Sequence, residues 1–366
     1  MFQKNKTEIL FMQIHLVSGF LGSGKTTAIR TACGVMMEEG KKVGVITNDQ
    51  GIKLVDTGYF ESALIPNRQV VNGCFCCNYD ALDSNIQSLV EANETDVIFA
   101  ESVGSCTDIV ATVMKPLRQY RNDAEVTVST FADALLLKML YVDGKELFGE
   151  EVNYIYQKQL EEAGIIVVSK MDLISIEAFR HVQDFLQKHY PLKTIVYVNG
   201  READSVLQWL AALEKHNKKR SRLSSLQIDY DTYGAGEAML AWLDEELELH
   251  SEQEQAEEDA LALADKIYQT IREKRLAIGH LKFLVNGTHK ISYTATGKEK
   301  LPVAVNPSSS CRLLMNARIE TLPEKLEKLI DNVIRETEAN RQCKIVVNSL
   351  SAFQPGYPTP THRMAD

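Results

Sequence analysis

The sequence predicts an α/β protein: a mainly parallel sheet covered by helices, followed by a smaller α+β unit for which a ferredoxin-like arrangement is one expectation. Three observations predict it. From Gln13 to about Glu214, short apolar runs alternate with amphipathic stretches, as in a parallel sheet with crossover helices. A glycine-rich turn, Gly19-Phe20-Leu21-Gly22-Ser23-Gly24-Lys25-Thr26, joins an apolar run to a helical one. From about residue 227, alternating strands and two amphipathic helices replace the earlier pattern.

In order, the first strand is Gln13-Ile14-His15-Leu16-Val17-Ser18, and Thr27 to Ala32 begins the helix after the turn. Further core strands are read at 42–47, 96–100, 125–129, 164–168 and 193–198, with helices at 152–163 and 176–189. The basic run from Lys215 to Arg222 reads as a solvated linker. Glu245 to Asp259 is strongly acidic, and Leu261, Ala264, Tyr268 and Ile271 then mark one helical face. Strands follow at 280–285, 290–296 and 312–319, the first two joined by a turn at Asn286-Gly287. Leu322, Leu326, Leu329, Ile330 and Val333 mark a second helix before a strand at 344–347. The proline-rich stretch 354–360 is expected to lie extended on the surface. The expected division is an extension 1–12, a first domain 13–215, a linker 216–226 and a second domain 227–366.

Composition narrows the classes. A chain of 366 residues with 45% hydrophobic and 25% charged residues is long enough for two globular domains. A formal net charge of −10 argues against nucleic acid as partner. No run of ~18 apolar residues suggests a membrane span. The apolar start, Ile9 to Met12, continues straight into the first strand and so does not read as a removable leader. Three of the seven cysteines fall within four positions, which suggests a reduced, cytoplasmic protein with a thiolate site rather than a disulfide framework.

The turn at 19–26 is G-x-x-x-x-G-K-T, the phosphate loop of P-loop NTPases. Gly19, Gly22, Ser23 and Gly24 let backbone N–H groups face a phosphate at a helix N-terminus. Lys25 would neutralise the β- and γ-phosphates, and Thr26 would give its hydroxyl to Mg²⁺. Ser169-Lys170-Met171-Asp172 closes the strand 164–168; Asp172 could accept both guanine N–H donors while the Lys170 stem lies on the ring, or the stretch could be a plain helix cap. Glu101-Ser102-Val103-Gly104 ends another strand, where an acid can hold Mg²⁺ through water and Gly104 can sense a γ-phosphate. Asn48-Asp49-Gln50-Gly51 falls where a first switch segment belongs; Asp49 could meet a metal or orient Mg²⁺, or simply begin a turn. Asp133 is a weaker candidate.

Gly73-Cys74-Phe75-Cys76-Cys77 crowds three sulfur donors that suit Zn²⁺, Co²⁺ or Cu(I) if the loop bends. Its fourth ligand is open: Cys106, a histidine, water or a delivered group. Buried apolar cysteines or a redox pair are the competing readings. The segment lies between the phosphate loop and Glu101, so metal affinity would depend on the nucleotide. The eight histidines are scattered, and a lone one such as His362 reads as a packed residue rather than a ligand.

Taken in order, Gly19 to Thr27, Gly73-Cys74-Phe75-Cys76-Cys77, Glu101-x-x-Gly104 and Ser169-Lys170-x-Asp172 resemble the CobW family of GTPases, relatives of HypB, UreG and MeaB. The resemblance covers about residues 13 to 215. It implies slow GTP hydrolysis coupled to delivery of zinc or cobalt to a client metalloprotein. It places Lys25, Thr26 and Thr27 at phosphate and Mg²⁺, Glu101 at the Mg²⁺ site, Asp172 at guanine, and Cys74, Cys76 and Cys77 at the ion. Ser169 stands where the base motif commonly has Asn. Asp49-Gln50-Gly51 replaces a commoner Glu-Phe-Gly-Glu, and the C-terminal half lacks a histidine tract. No intrinsic arginine finger is recognised, so hydrolysis should wait for a partner or metal to order the switches.

The first hypothesis is therefore a GTP-dependent metallochaperone using GTP, Mg²⁺ and Zn²⁺ or Co²⁺, with a nucleotide-dependent homodimer as a further expected state. The second is a GTPase that gates cofactor loading or reactivation of a cobalamin-related enzyme, the cysteines being structural. An ATP-dependent small-molecule kinase rests on the phosphate loop alone and is opposed by Asp172.

Overall fold

The computed structural model describes residues 11–51, 55–218, 223–298 and 305–366. Most of the expected extension 1–12, and Lys219, Arg220 and Arg222 of the expected linker, lie outside them.

The first unit is a seven-stranded parallel sheet of β1 (Met12–Gly19), β2 (Val43–Asn48), β3 (Asn67–Val70), β4 (Val97–Glu101), β5 (Ala124–Asp133), β6 (Ile165–Ser169) and β7 (Thr194–Val198). Its order is β3-β2-β4-β1-β5-β6-β7. Among the described residues eight α-helices serve it: α1 (Lys25–Glu38), α2 (Val55–Glu61), α3 (Tyr79–Asn93), α4 (Lys115–Tyr120), α5 (Ala134–Leu137), α6 (Glu150–Glu162), α7 (Ile176–His189) and α8 (Ala203–Lys218). β4 and β6 are buried at every position because helices cover both faces, which is why they read as unbroken apolar runs. Trp209 of α8 fills one face against Phe99 and Phe131 and donates its indole N–H to Ser129 Oγ at 3.0 Å.

Two features of this unit escape sequence patterning. β3 is a four-residue edge strand whose first three residues, Asn67, Arg68 and Gln69, are polar, so no apolar period marks it. Lys215, assigned above to a solvated linker, lies in the last turn of α8.

Next comes α9 (Tyr230–Ala238), which packs on α6: a Cβ at Gly236 would stand 2.5 Å from the Glu151 carbonyl oxygen. The second unit contains β8 (Leu240–His250), α10 (Ala256–Glu273), β9 (Ile278–Val285), β10 (His289–Thr294), β11 (Gly297–Lys298), β12 (Ser310–Glu320), α11 (Pro323–Arg341) and β13 (Lys344–Phe353). Its antiparallel sheet has the order β11-β10-β9-β12-β8-β13. Set the β10–β11 addition aside and the strands run β13-β8-β12-β9, the ferredoxin-like split βαβ order. The turn after β9 has φ of 50° at Asn286 and 71° at Gly287, as a tight hairpin of this twist requires.

The acidic stretch 245–259 is divided between elements. In β8, Leu247 and Leu249 are buried in the core while Glu246 and Glu248 alternate with them and are partly exposed; Glu257, Glu258 and Asp259 lie in the first turn of α10. The proline-rich stretch 354–360 has no regular structure and is largely exposed, with Pro355 and Pro358 buried, and from Thr361 the chain packs back onto the first unit.

Candidate phosphate and thiol sites

The phosphate loop leaves β1 at Gly19 and enters α1 at Lys25. Gly22 has φ 70°, and a Cβ there would lie 2.4 Å from Thr294 Cγ2, so both conformation and space require glycine. Gly19 and Gly24 also have positive φ, 127° and 87°. Lys25 is 6% exposed and donates to the carbonyls of Gly19 at 2.7 Å and Phe20 at 3.2 Å. Burial lowers its pKa to about 8, against the pull of Glu101. Thr27 sits half-buried in the first turn of α1, and Ser23 is buried in the loop itself.

β4 runs beside β1, which brings Glu101 to the loop. Thr26 Oγ1 donates to Glu101 Oε1 at 2.9 Å, and Glu101 Oε2 is buried without a partner among the described residues. A hydroxyl and a carboxylate so placed suit Mg²⁺, which prefers one or two such oxygens plus water and phosphate. Burial, and then the charge of Asp56, raises the Glu101 pKa. Gly104 is pressed on the loop: a Cβ there would come 2.9 Å from Leu21 N.

At the end of β6, Ser169 donates to the Ser23 carbonyl at 2.6 Å, so the hydroxyl standing where an amide is commoner still ties this strand to the phosphate loop. Lys170 adopts φ 58° and pairs with Asp133 at 2.8 Å. Asp133 also caps α5 by accepting from Leu135 N and Leu136 N. Asp172 is exposed in the following turn.

Asp49 does not join this cluster of loop, threonine and acid. Its Oδ1 accepts from Arg318 Nη2 at 2.7 Å, across to the second sheet. Arg318 is fully buried, held also by Asp244 at 2.8 Å and stacked 3.9 Å from the Trp242 ring centroid.

The loop bends so that its three thiols converge. Sγ of Cys74 is 2.6 Å from that of Cys76 and 3.3 Å from that of Cys77, and Cys76 and Cys77 are 3.7 Å apart. Sulfurs around tetrahedral zinc stand ~3.8 Å apart, so the set needs only to spread. The thiols of Cys106, Cys76 and Cys77 hold Cys74 well below the usual thiol range. Hydrogen bonding to Cys74 pushes Cys77 up to about 11. Cys74 and Cys76 are each 3% exposed and Cys77 is half-buried, so solvent reaches the group from the Cys77 side.

Two supports of this loop were not legible as functional. Asn48, last residue of β2, donates to the carbonyls of Val70 and Gly73 and accepts from Phe75 N at 2.8 Å, fixing the loop at both ends of Cys74. The tail covers the other side: Thr361 N donates to the Cys76 carbonyl at 2.8 Å and its Oγ1 to the Cys77 carbonyl at 3.1 Å. His362 packs on Tyr79 and Tyr120, and Arg363 pairs with Asp108 at 2.8 Å, so the cover is tied down beyond the sulfurs. His362 is thus a packed residue, as read from the sequence.

A parallel sheet with G-x-x-x-x-G-K-T between β1 and α1 and an acid at the end of the neighbouring strand defines a P-loop nucleotide-binding protein. Residues 13–197 match the family model of the CobW/HypB/UreG nucleotide-binding domain, and the chain belongs to that family. Among curated relatives, it is 27% identical over 226 residues to "Zinc chaperone CobW" of Sinorhizobium sp, covering 52% of this chain and 60% of that protein. It is 25% identical over 233 residues to "Zinc-regulated GTPase metalloprotein activator 1" of Schizosaccharomyces pombe, covering 60% and 54%. The chain spans little more than half the length of these relatives. Among solved structures, HypB from Helicobacter pylori in complex with nickel aligns with a TM-score of 0.42 at 16% identity, covering 60% of this chain and 93% of that one. Among the described residues no helix is long and apolar enough to cross a membrane.

Proposed function

We propose that this chain is a GTP-binding and GTP-hydrolysing metallochaperone whose cargo is zinc, with cobalt the other ion its sulfur donors suit. Residues 13–215 would form the nucleotide unit and 227–366 a second domain, and the chain would serve a client metalloprotein. Lys25 would bind the β- and γ-phosphates, Thr26 and Glu101 would hold Mg²⁺, Gly104 would face the γ-phosphate, and Asp172 would read guanine. Mg²⁺ would neutralise phosphate charge when bound. Cys74, Cys76 and Cys77 would hold the cargo, with Cys106 or a client donor completing four.

The observation that carries this reading is the attachment of the thiol loop to nucleotide-facing segments. Asn48 clamps the loop from the first switch segment, and Cys106, in the stretch that follows Glu101 and Gly104, acts on the Cys74 thiol. Ordering either segment around a nucleotide would therefore move sulfur donors. The names of the relatives above favour zinc as cargo.

Linkage tests it: GTP must alter zinc affinity by the factor by which zinc alters GTP affinity. Titrating Zn²⁺ and Co²⁺ into protein loaded with GDP or with a non-hydrolysable GTP analogue should give unequal affinities, and competition should favour GTP over ATP. Equal affinities in both states remove the coupling. A nucleotide-dependent homodimer would register as a doubled mass in light scattering of the same samples.

The burial of Cys74 and Cys76 favours a second reading, in which the thiols only pack and the GTPase gates cofactor loading or reactivation of a cobalamin-related enzyme. Replacing all three cysteines by serine would then leave client activation intact.

A further inference from the structure

The phosphate loop is roofed by the second sheet. A Cβ at Gly22 would meet Thr294 of β10, and one at Gly279 of β9 would come 2.6 Å from Leu21 Cδ1. The same two strands carry buried cations. Lys282 stands opposite Ser292 in the β9–β10 pairing, and Lys290, two residues before Ser292, shares its face. Both ammonium groups end on one carboxylate: Lys282 Nζ is 2.5 Å from Asp56 Oδ2, and Lys290 Nζ is 2.7 Å from Asp56 Oδ1. Their side chains are 12% and 8% exposed.

Asp56 opens α2, just past the first switch segment. That segment is fastened to the second sheet at two further points, Asp49 to Arg318 and Val55 N to Asn316 Oδ1 at 2.8 Å. Lys282 is near enough to act electrostatically on both Lys25 and Glu101. Two lysines for one carboxylate leave a surplus positive charge beside the phosphate loop. A buried site with that surplus is poised for an anion carrying more charge than Asp56.

We propose that Lys282, with Lys290 behind it, binds the terminal phosphate of the triphosphate, and that Asp56 holds the pair while that phosphate is absent. This rests on the GTP reading above and adds to it a residue set from outside the nucleotide-binding domain. Phosphate takes Lys282 from Asp56 by the stronger charge-assisted contact, and the released Asp56 loosens α2 and the switch segment from the second sheet. The second unit thereby distinguishes triphosphate from diphosphate directly.

The test compares affinities of full-length protein, with Mg²⁺, for GDP and for a non-hydrolysable GTP analogue. Lys282→Met should weaken the analogue roughly tenfold or more, with GDP changed less than about threefold. Lys282→Arg should keep most of the discrimination. Because Lys290 keeps Asp56 paired in Lys282→Met, that variant should melt near the wild-type temperature, and the double variant Lys282→Met/Asp56→Asn is the second arm, in which analogue binding should stay weak. Wild-type analogue affinity in the double variant, or equal losses for GDP and analogue in Lys282→Met, would mean that Lys282 merely balances Asp56 and would overturn the proposal. A wild-type protein that binds neither nucleotide would overturn the GTP reading itself, a result distinct from either.

Discussion

The phosphate loop and the thiol loop both leave the carboxyl ends of strands in one sheet, but they are covered by different kinds of structure. Over the phosphate loop lies a folded sheet, bringing Thr294, Lys282 and Lys290 on hydrogen-bonded strands. Over the thiols lies a single irregular segment, held where it crosses by Thr361 on the Cys76 and Cys77 carbonyls. A sheet opens only as a body, whereas a segment can peel away a few hydrogen bonds at a time. The difference teaches that the first site should answer to charge and the second to displacement.

The largest effect expected is on the thiol side. Replacing Cys74, Cys76 and Cys77 together by serine should abolish stoichiometric zinc in anaerobically purified protein while nucleotide binding survives; zinc retained at one equivalent would show that the thiols are not the site.

Next in size is Asn48→Ala, which removes the clamp without touching a sulfur. Outer supports of a metal site are worth about 10–100-fold in affinity. A competitive chelator titration should show a loss of that order, and an unchanged affinity would place the loop's rigidity elsewhere.

A smaller effect is expected from Thr361→Pro, which removes the N–H donated to Cys76 and the hydroxyl donated to Cys77. Zinc transfer to a chelator should quicken several-fold, about the scale of one or two hydrogen bonds, with GDP affinity unmoved. If transfer keeps its rate, the tail is not the barrier and the contrast between the two covers fails.

The smallest concerns pH, and it separates fold from site. Glu162 of α6 is raised to about 8 by burial and then by Asp108, although Val110 N and Thr107 Oγ1 donate to it. Lys193 also acts in its neighbourhood. The folded state therefore binds a proton that the unfolded state releases near pH 4.5. Its contribution is fully present below that value and is lost as pH rises toward about 8. Melting in guanidinium across this window should flatten in Glu162→Gln, and an unaltered slope would assign it to other carboxyls.

What could be read from the sequence follows from where partners lie along the chain. Gly19 to Thr26, Cys74 to Cys77 and Ser169 to Asp172 each keep their chemistry within a few positions, so spacing alone exposed them. Most strands of the parallel sheet were legible too, since buried strands such as β4 and β6 are continuous apolar runs. Lys282, Lys290 and Arg318 were not, because a charged residue in an alternating strand reads as solvent-facing, and the carboxylates of the first unit that they meet, Asp56 and Asp49, sit more than two hundred positions away. Asn48 looked like part of a turn, as its role depends on a loop 25 positions on. For Asp49 the sequence left a metal role and a plain turn open, because the arginine that engages it belongs to the other sheet.

Thr361 meets Cys77 across 284 positions. Synthesis is vectorial, so the sulfur-bearing loop emerges long before the residue that will lie across it. Throughout that interval the nascent chain carries the three thiols without this cover. Under the metallochaperone reading, the order of translation would supply a first loading window.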